Sequence, residues 1–91
     1  MARMDRLDAL GLIAGTLTTI SFLPQVARTW RTRRTDDISL AMLVLFSVGV
    51  GLWIVYGVLM GSLPVIVANA ATLFLILIIL GIKIQNLTRR P

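Results

Sequence analysis

The chain has 91 residues, 57% of them hydrophobic and 14% charged, with a mean hydropathy of +0.91. A soluble domain this small buries only about 60% of its surface, so an ordinary soluble fold is excluded and an apolar solvent is required. The absence of cysteine and histidine excludes a disulfide framework and histidine acid–base chemistry, and the net charge of +5 sits in short segments between apolar runs, leaving no basic face for nucleic acid.

Residues 9–27 carry no charge, and the run predicts a first helix over about 8–29. Arg3 and Arg6 before it resemble the start of a signal peptide. The run is longer than a signal core, however, and no A-x-A-like site precedes Arg28, so it is expected to be a retained span. A polar stretch covers residues 28–37. Residues 38–82 are again free of charge, about twice the ~20 residues that cross ~30 Å of hydrocarbon. Gly61-Ser62-Leu63-Pro64 punctuates this run with turn residues, and Pro suits the first turn of a following helix. Further helices are therefore expected over about 39–60 and 63–83. The fold class is all-α: an integral membrane bundle of three helices in a single domain, residues 1–91.

Arg28, Arg31, Arg33 and Arg34 follow the first helix, and Lys83, Arg89 and Arg90 follow the third. With three spans these segments share one side. The other side has Arg3 and Arg6, offset by Asp5 and Asp8, and an uncharged hairpin. The distribution of positive charge places the N-terminus outside and the C-terminus in the cytoplasm. Three helices can hardly enclose a polar path while excluding lipid, so a parallel two-fold homodimer is expected in the bilayer. Gly11 with Gly15, and Gly57 with Gly61, are small-residue pairs at a spacing that lets helices approach closely.

No Asp, Glu, Lys, Arg or His lies within 9–27 or 38–82. Proton-coupled pumps and acid–base enzymes need one there, so catalysis and ion coupling are disfavoured and facilitated transport remains. No catalytic residue, metal or cofactor is expected. Among the few polar residues of the spans, Asn69 brings two donors and an acceptor into hydrocarbon. It either bonds a neighbouring helix or serves a ligand. Trp53 lies about seven residues, ~10 Å, from the end of the second helix, and Asn69 about six residues, ~9 Å, from the start of the third. The two share a depth below the interfacial belt that usually holds Trp. An aromatic face for the C–H surface of a pyranose and an uncharged amide for its hydroxyls suit a small neutral sugar, a mono- or disaccharide. Gly15 and Thr18 of the first helix would leave room beside them. Pro24 removes a backbone donor and should bend the first helix near its end, making Pro24 and the adjoining Gln25 a hinge. Asp37 or Ser39 is the expected N-cap of the second helix.

Pro24-Gln25, Trp30-Arg31-x-Arg33, Asp37-Ile38-Ser39, Trp53-x-x-Tyr56-Gly57 and Asn69 together resemble the bacterial SemiSWEET sugar transporters of the PQ-loop family. The resemblance implies a location in the bacterial inner membrane and a third helix lying between the first and second. It further implies alternating access without ion coupling and sugar bound between protomers by Trp53 and Asn69. By the same resemblance Pro24 is the hinge, Phe22, Met42 and Phe46 form the inner gate and Tyr56 the outer one. Some relatives close the outer gate with an Arg–Asp pair, and here those positions read as Met60 and Ser62. A carrier of another neutral solute such as an amino acid, or a non-transporting membrane assembly subunit, is the alternative.

Overall fold

The computed structural model describes residues 6–89. Arg3, Asp5 and Arg90, used above for topology, lie outside the described residues. The chain is all-helical: α1 spans Arg6–Thr32, α2 Leu40–Met60 and α3 Leu63–Arg89. Each is long and apolar enough to cross a bilayer. The first and third helices run further than the apolar runs alone suggest, α1 to Thr32 and α3 to Arg89. Charge marks where hydrocarbon ends, but Arg, Lys and Gln are good helix formers, and basic groups in a last turn suit the helix dipole.

The ends of α2 are fixed by two local devices. Ser39, rather than Asp37, is the N-cap: its Oγ accepts from the Met42 amide at 3.2 Å. At the other end Gly61 adopts φ +67°, and the Ser62 amide reaches back to the Gly57 carbonyl at 2.8 Å. This left-handed turn needs glycine and reverses the chain at once, with Pro64 in the first turn of α3.

α3 lies between α1 and α2 and packs along both, while the backbones of α1 and α2 stay apart. The α1–α3 seam keeps one register from end to end. A Cβ on Gly11 would sit 3.2 Å from Pro64 Cβ, and one on Gly15 2.5 Å from Ala68 Cβ. One turn on, the hydroxyls of Thr19 and Thr72 share a hydrogen bond of 3.2 Å across 53 residues of sequence. The same 53-residue offset recurs where Asn86 Nδ2 donates to the Arg33 carbonyl. The two helices are therefore parallel, and every fourth residue of one meets every fourth of the other. This puts Arg28, Arg31, Arg33, Arg34, Lys83 and Arg89 at one end of the bundle, opposite the hairpin. The pair Gly11 and Gly15 is thus a packing stripe. Gly57 and Gly61 are not: a Cβ on Gly57 would sit 2.9 Å from Val65 Cγ1 and 3.0 Å from Ile66 Cγ1, but one on Gly61 would meet nothing within 4 Å, and Gly61 serves the turn.

The buried apolar side chains are Val26, Leu43, Val50, Leu75, Ile76, Ile79 and Ile82. They gather in the middle and basic end of the bundle. There Phe22 of α1 and Phe46 of α2 meet edge to face, with ring centroids 6.5 Å apart. Toward the hairpin, the buried residues are Gly57 and Pro64 alone among those described.

Candidate functional site

On α2 the residues Met42, Phe46, Gly49, Trp53 and Tyr56 recur at alternating spacings of four and three, so they form one stripe. Phe46 of this stripe touches α1 through Phe22, which sets the side the stripe faces. On α3, Ala68 meets α1 at Gly15, while Val65 and Ile66 meet α2 at Gly57. Asn69, four residues after Val65, lies on the same face of α3 as Val65.

A groove of about 270 Å³ between α1 and α3 is lined by Ala14, Gly15, Thr18, Asn69 and Thr72, among others. Asn69 is half-buried in it, and its Nδ2 donates to the Val65 carbonyl of its own helix at 2.9 Å. The second N–H and the carbonyl oxygen have no partner among the described residues. No buried side-chain polar atom described lacks a partner, so the Asn69 carbonyl oxygen, which has none, is not buried. Thr18 Oγ1 donates to the Gly15 carbonyl at 3.0 Å and keeps its lone pairs as acceptors. Thr16 and Ser47 likewise bond carbonyls one turn back, which lets a hydroxyl sit in a span without another helix. The interhelical bond is made by Thr19 and Thr72, not by Asn69.

Trp53 and Tyr56 meet edge to face with centroids 5.4 Å apart, and both are about half exposed. They do not line the Asn69 groove within one chain. Asn69, Gly15 and Thr18 are thus brought together, with Trp53 and Tyr56 on the facing stripe of α2. Gly15 also closes the helix seam, so its smallness has a packing cause besides any ligand. At the other end Phe22 and Phe46 touch, with Met42 one turn from Phe46 on the stripe. Pro24 and Gln25 are exposed on α1, which continues through them as helix. They line a larger opening, about 580 Å³, with Arg28, Arg34, Asp36 and Asp37.

The family model of the PQ loop repeat matches residues 7–66. The chain belongs to the PQ-loop family. Among PQ-loop relatives, the sugar transporter SemiSWEET of Leptospira biflexa serovar Patoc is 52% identical over 79 residues, 87% of this chain and 93% of the relative. The sugar transporter SemiSWEET of Escherichia coli strain UMEA 3162-1 is 42% identical over 83 residues, 91% of this chain and 93% of its own. A crystal structure of SemiSWEET in the inward-open conformation superposes with a TM-score of 0.89 at 40% identity, covering 94% of this chain and 100% of that one. The resemblance to SemiSWEET read from the motifs holds. The PQ-loop match takes in α1, the connecting loop, α2 and the first turn of α3, so Pro24, Gln25 and Trp53 fall inside it and Asn69 just beyond.

Sequence reasoning passed over four residues. Ala14 carries no chemical signal that separates it from packing residues, and Thr72, one of the few polar residues of the spans, was assigned no role; both line the groove. Lys83 counted only as a topology charge, yet it is half-buried and its Nζ donates to the Thr35 carbonyl at 2.8 Å. Asn86 donates to the Arg33 carbonyl at 2.7 Å and to Thr35 Oγ1 at 2.9 Å. An amide three residues after a lysine, one turn along the same face, was the available signal.

Proposed function

We propose that this chain is a facilitative sugar transporter that works as a parallel homodimer by alternating access. It lies in the bacterial inner membrane with the N-terminus outside and the C-terminus in the cytoplasm, following the positive charge at the loop end. It is a carrier, not an enzyme. The observation that carries the reading is the Asn69 amide, half-buried in a groove without charge and with an N–H and a carbonyl uncommitted. Sugar hydroxyls are neutral donors and acceptors and match those two groups.

In the dimer the sugar sits between protomers. Its C–H face stacks on Trp53, the Asn69 amide bonds its hydroxyls, and Gly15 and Thr18 leave room. Phe22, Met42 and Phe46 close the cytoplasmic end and Tyr56 the outer end. Met60 and Ser62 add no ion pair there, so outer closure rests on Tyr56 and apolar contact. Pro24 and Gln25 form the hinge: the missing proline N–H frees the Ile20 carbonyl and lowers the cost of bending. No ion is coupled, and net flux follows the sugar gradient. The names of the Leptospira and Escherichia relatives support the choice of sugar.

Counterflow of labelled glucose and sucrose into liposomes holding the pure protein tests this. Exchange faster than in empty vesicles is expected. Rates equal to empty vesicles reject sugar transport and favour an assembly subunit. Competition by amino acids against sugar flux would favour a carrier of zwitterions, for which the groove offers no charged partner.

A further inference from the structure

Three hydrogen bonds from two α3 side chains converge on residues 33–35, where α1 hands over to the loop. Lys83 Nζ donates to the Thr35 carbonyl, and Asn86 Nδ2 donates to the Arg33 carbonyl and to Thr35 Oγ1. Lys83 and Asn86 are three apart on one face of α3. Thr35 is 2% exposed, although it lies in a polar loop. The backbone they grip is joined stiffly to both neighbouring helices. Arg33 sits in the left-handed region at φ 58°, and its amide closes the last turn of α1 on the Thr29 carbonyl at 2.8 Å. The Ile38 amide returns to the Thr35 carbonyl at 3.0 Å, directly before the Ser39 cap of α2. A bulky residue with positive φ persists only where its surroundings over-determine it, and here the three bonds do so.

Pro24 lies upstream of this grip. Beyond it, Val26 and Thr29 are the buried residues of α1, and Val26 belongs to the core cluster with Leu75, Ile76 and Ile79 of α3. We infer that Lys83 and Asn86 are positioning residues that form a latch: they hold the α1 segment beyond Pro24, with the loop, against α3, and the latch must release before that segment swings. The latch is polar and lies at the charged end of the bundle, where water replaces each broken bond. It is therefore reversible, which a bond broken in hydrocarbon is not. The inference rests on the hinge reading of Pro24 and is independent of which solute is carried.

The chain has no cysteine, so Thr29→Cys introduces a single thiol at a site 3% exposed. The full-length variant in liposomes is treated with a water-soluble maleimide. Slow labelling is expected. Adding Lys83→Met and Asn86→Ala removes all three hydrogen bonds and should raise the rate at least about tenfold, since each net bond is worth a several-fold shift. Lys83→Arg in place of Lys83→Met, with Asn86 intact, should keep labelling slow because a donor remains. An unchanged rate in the latch-less variant overturns the inference. So does an equal rise at the buried position of Val50→Cys, since that reports general loosening. The readout needs no sugar, so a failed counterflow panel leaves this result separately legible.

Discussion

The missing side chain of Gly15 would fall 2.5 Å from the Cβ of Ala68, closer than two such atoms can stand. The α1–α3 seam is therefore sealed at this point by the absence of a single methyl. Gly15→Ala should destabilise the protein by about 1–3 kcal/mol through overpacking. Adding Ala68→Gly should restore much of the loss, because the clash is between these two positions. Thermal unfolding of the single and double variants in one detergent checks both statements.

Asn69→Ala should bring counterflow down to the level of empty vesicles while the protein stays folded. The side chain bonds only its own helix among the described residues, so its loss frees no interhelical contact. The unfolding temperature should stay within about 3 °C of the parent. A collapse of the fold would instead assign Asn69 a structural role between protomers.

Trp53→Ala should weaken sugar binding about tenfold, and Trp53→Phe should recover part of it, since an aromatic contact is worth about 0.5–1.5 kcal/mol. The chain has two tryptophans, so in a Trp30→Phe background Trp53 is the one remaining tryptophan and is excited selectively at wavelengths tyrosine does not absorb. Quenching or enhancement of its emission on adding sugar reports occupancy directly.

Pro24→Ala restores a backbone donor to the Ile20 carbonyl and stiffens α1. Exchange should slow several-fold, about 1 kcal/mol on the barrier, with sugar affinity nearly unchanged. Counterflow rates beside Trp53 fluorescence titrations separate the two effects.

Residues 9–27 and 38–82 carry no Asp, Glu, Lys, Arg or His. Sugar exchange should therefore be insensitive to a protonophore and flat with pH across the neutral range. Acceleration by an imposed proton gradient would contradict the uncoupled cycle.

Much of this architecture was legible in the residues. The turn at Gly61 and Pro64 was readable because left-handed backbone selects glycine and a first helical turn accepts proline. The depth expected for Trp53 and Asn69 rests on rise per residue alone. Helix ends were less legible, because the apolar run measures hydrocarbon thickness and not how far the backbone stays helical; Lys83 stops the first and not the second. The placement of α3 between its neighbours came from family resemblance, since three apolar spans carry no pattern that orders them. The partner of Asn69 was not readable either. Bonding to the Val65 carbonyl or to another helix is decided by rotamer and by neighbours distant in sequence. Lys83 and Asn86 were hidden for the same reason: their acceptors are backbone carbonyls, which every residue has.

Because the well-packed side chains gather away from the hairpin, that half of the bundle has almost no interior of its own. Its shape is completed by whatever molecules lie against it. Fraying should start there, and amides near Gly61 should exchange before those near Ile79. The medium then acts as a component of the fold: a melting curve taken in a short-chain detergent reports the detergent's coverage of the hairpin half as much as it reports the polypeptide.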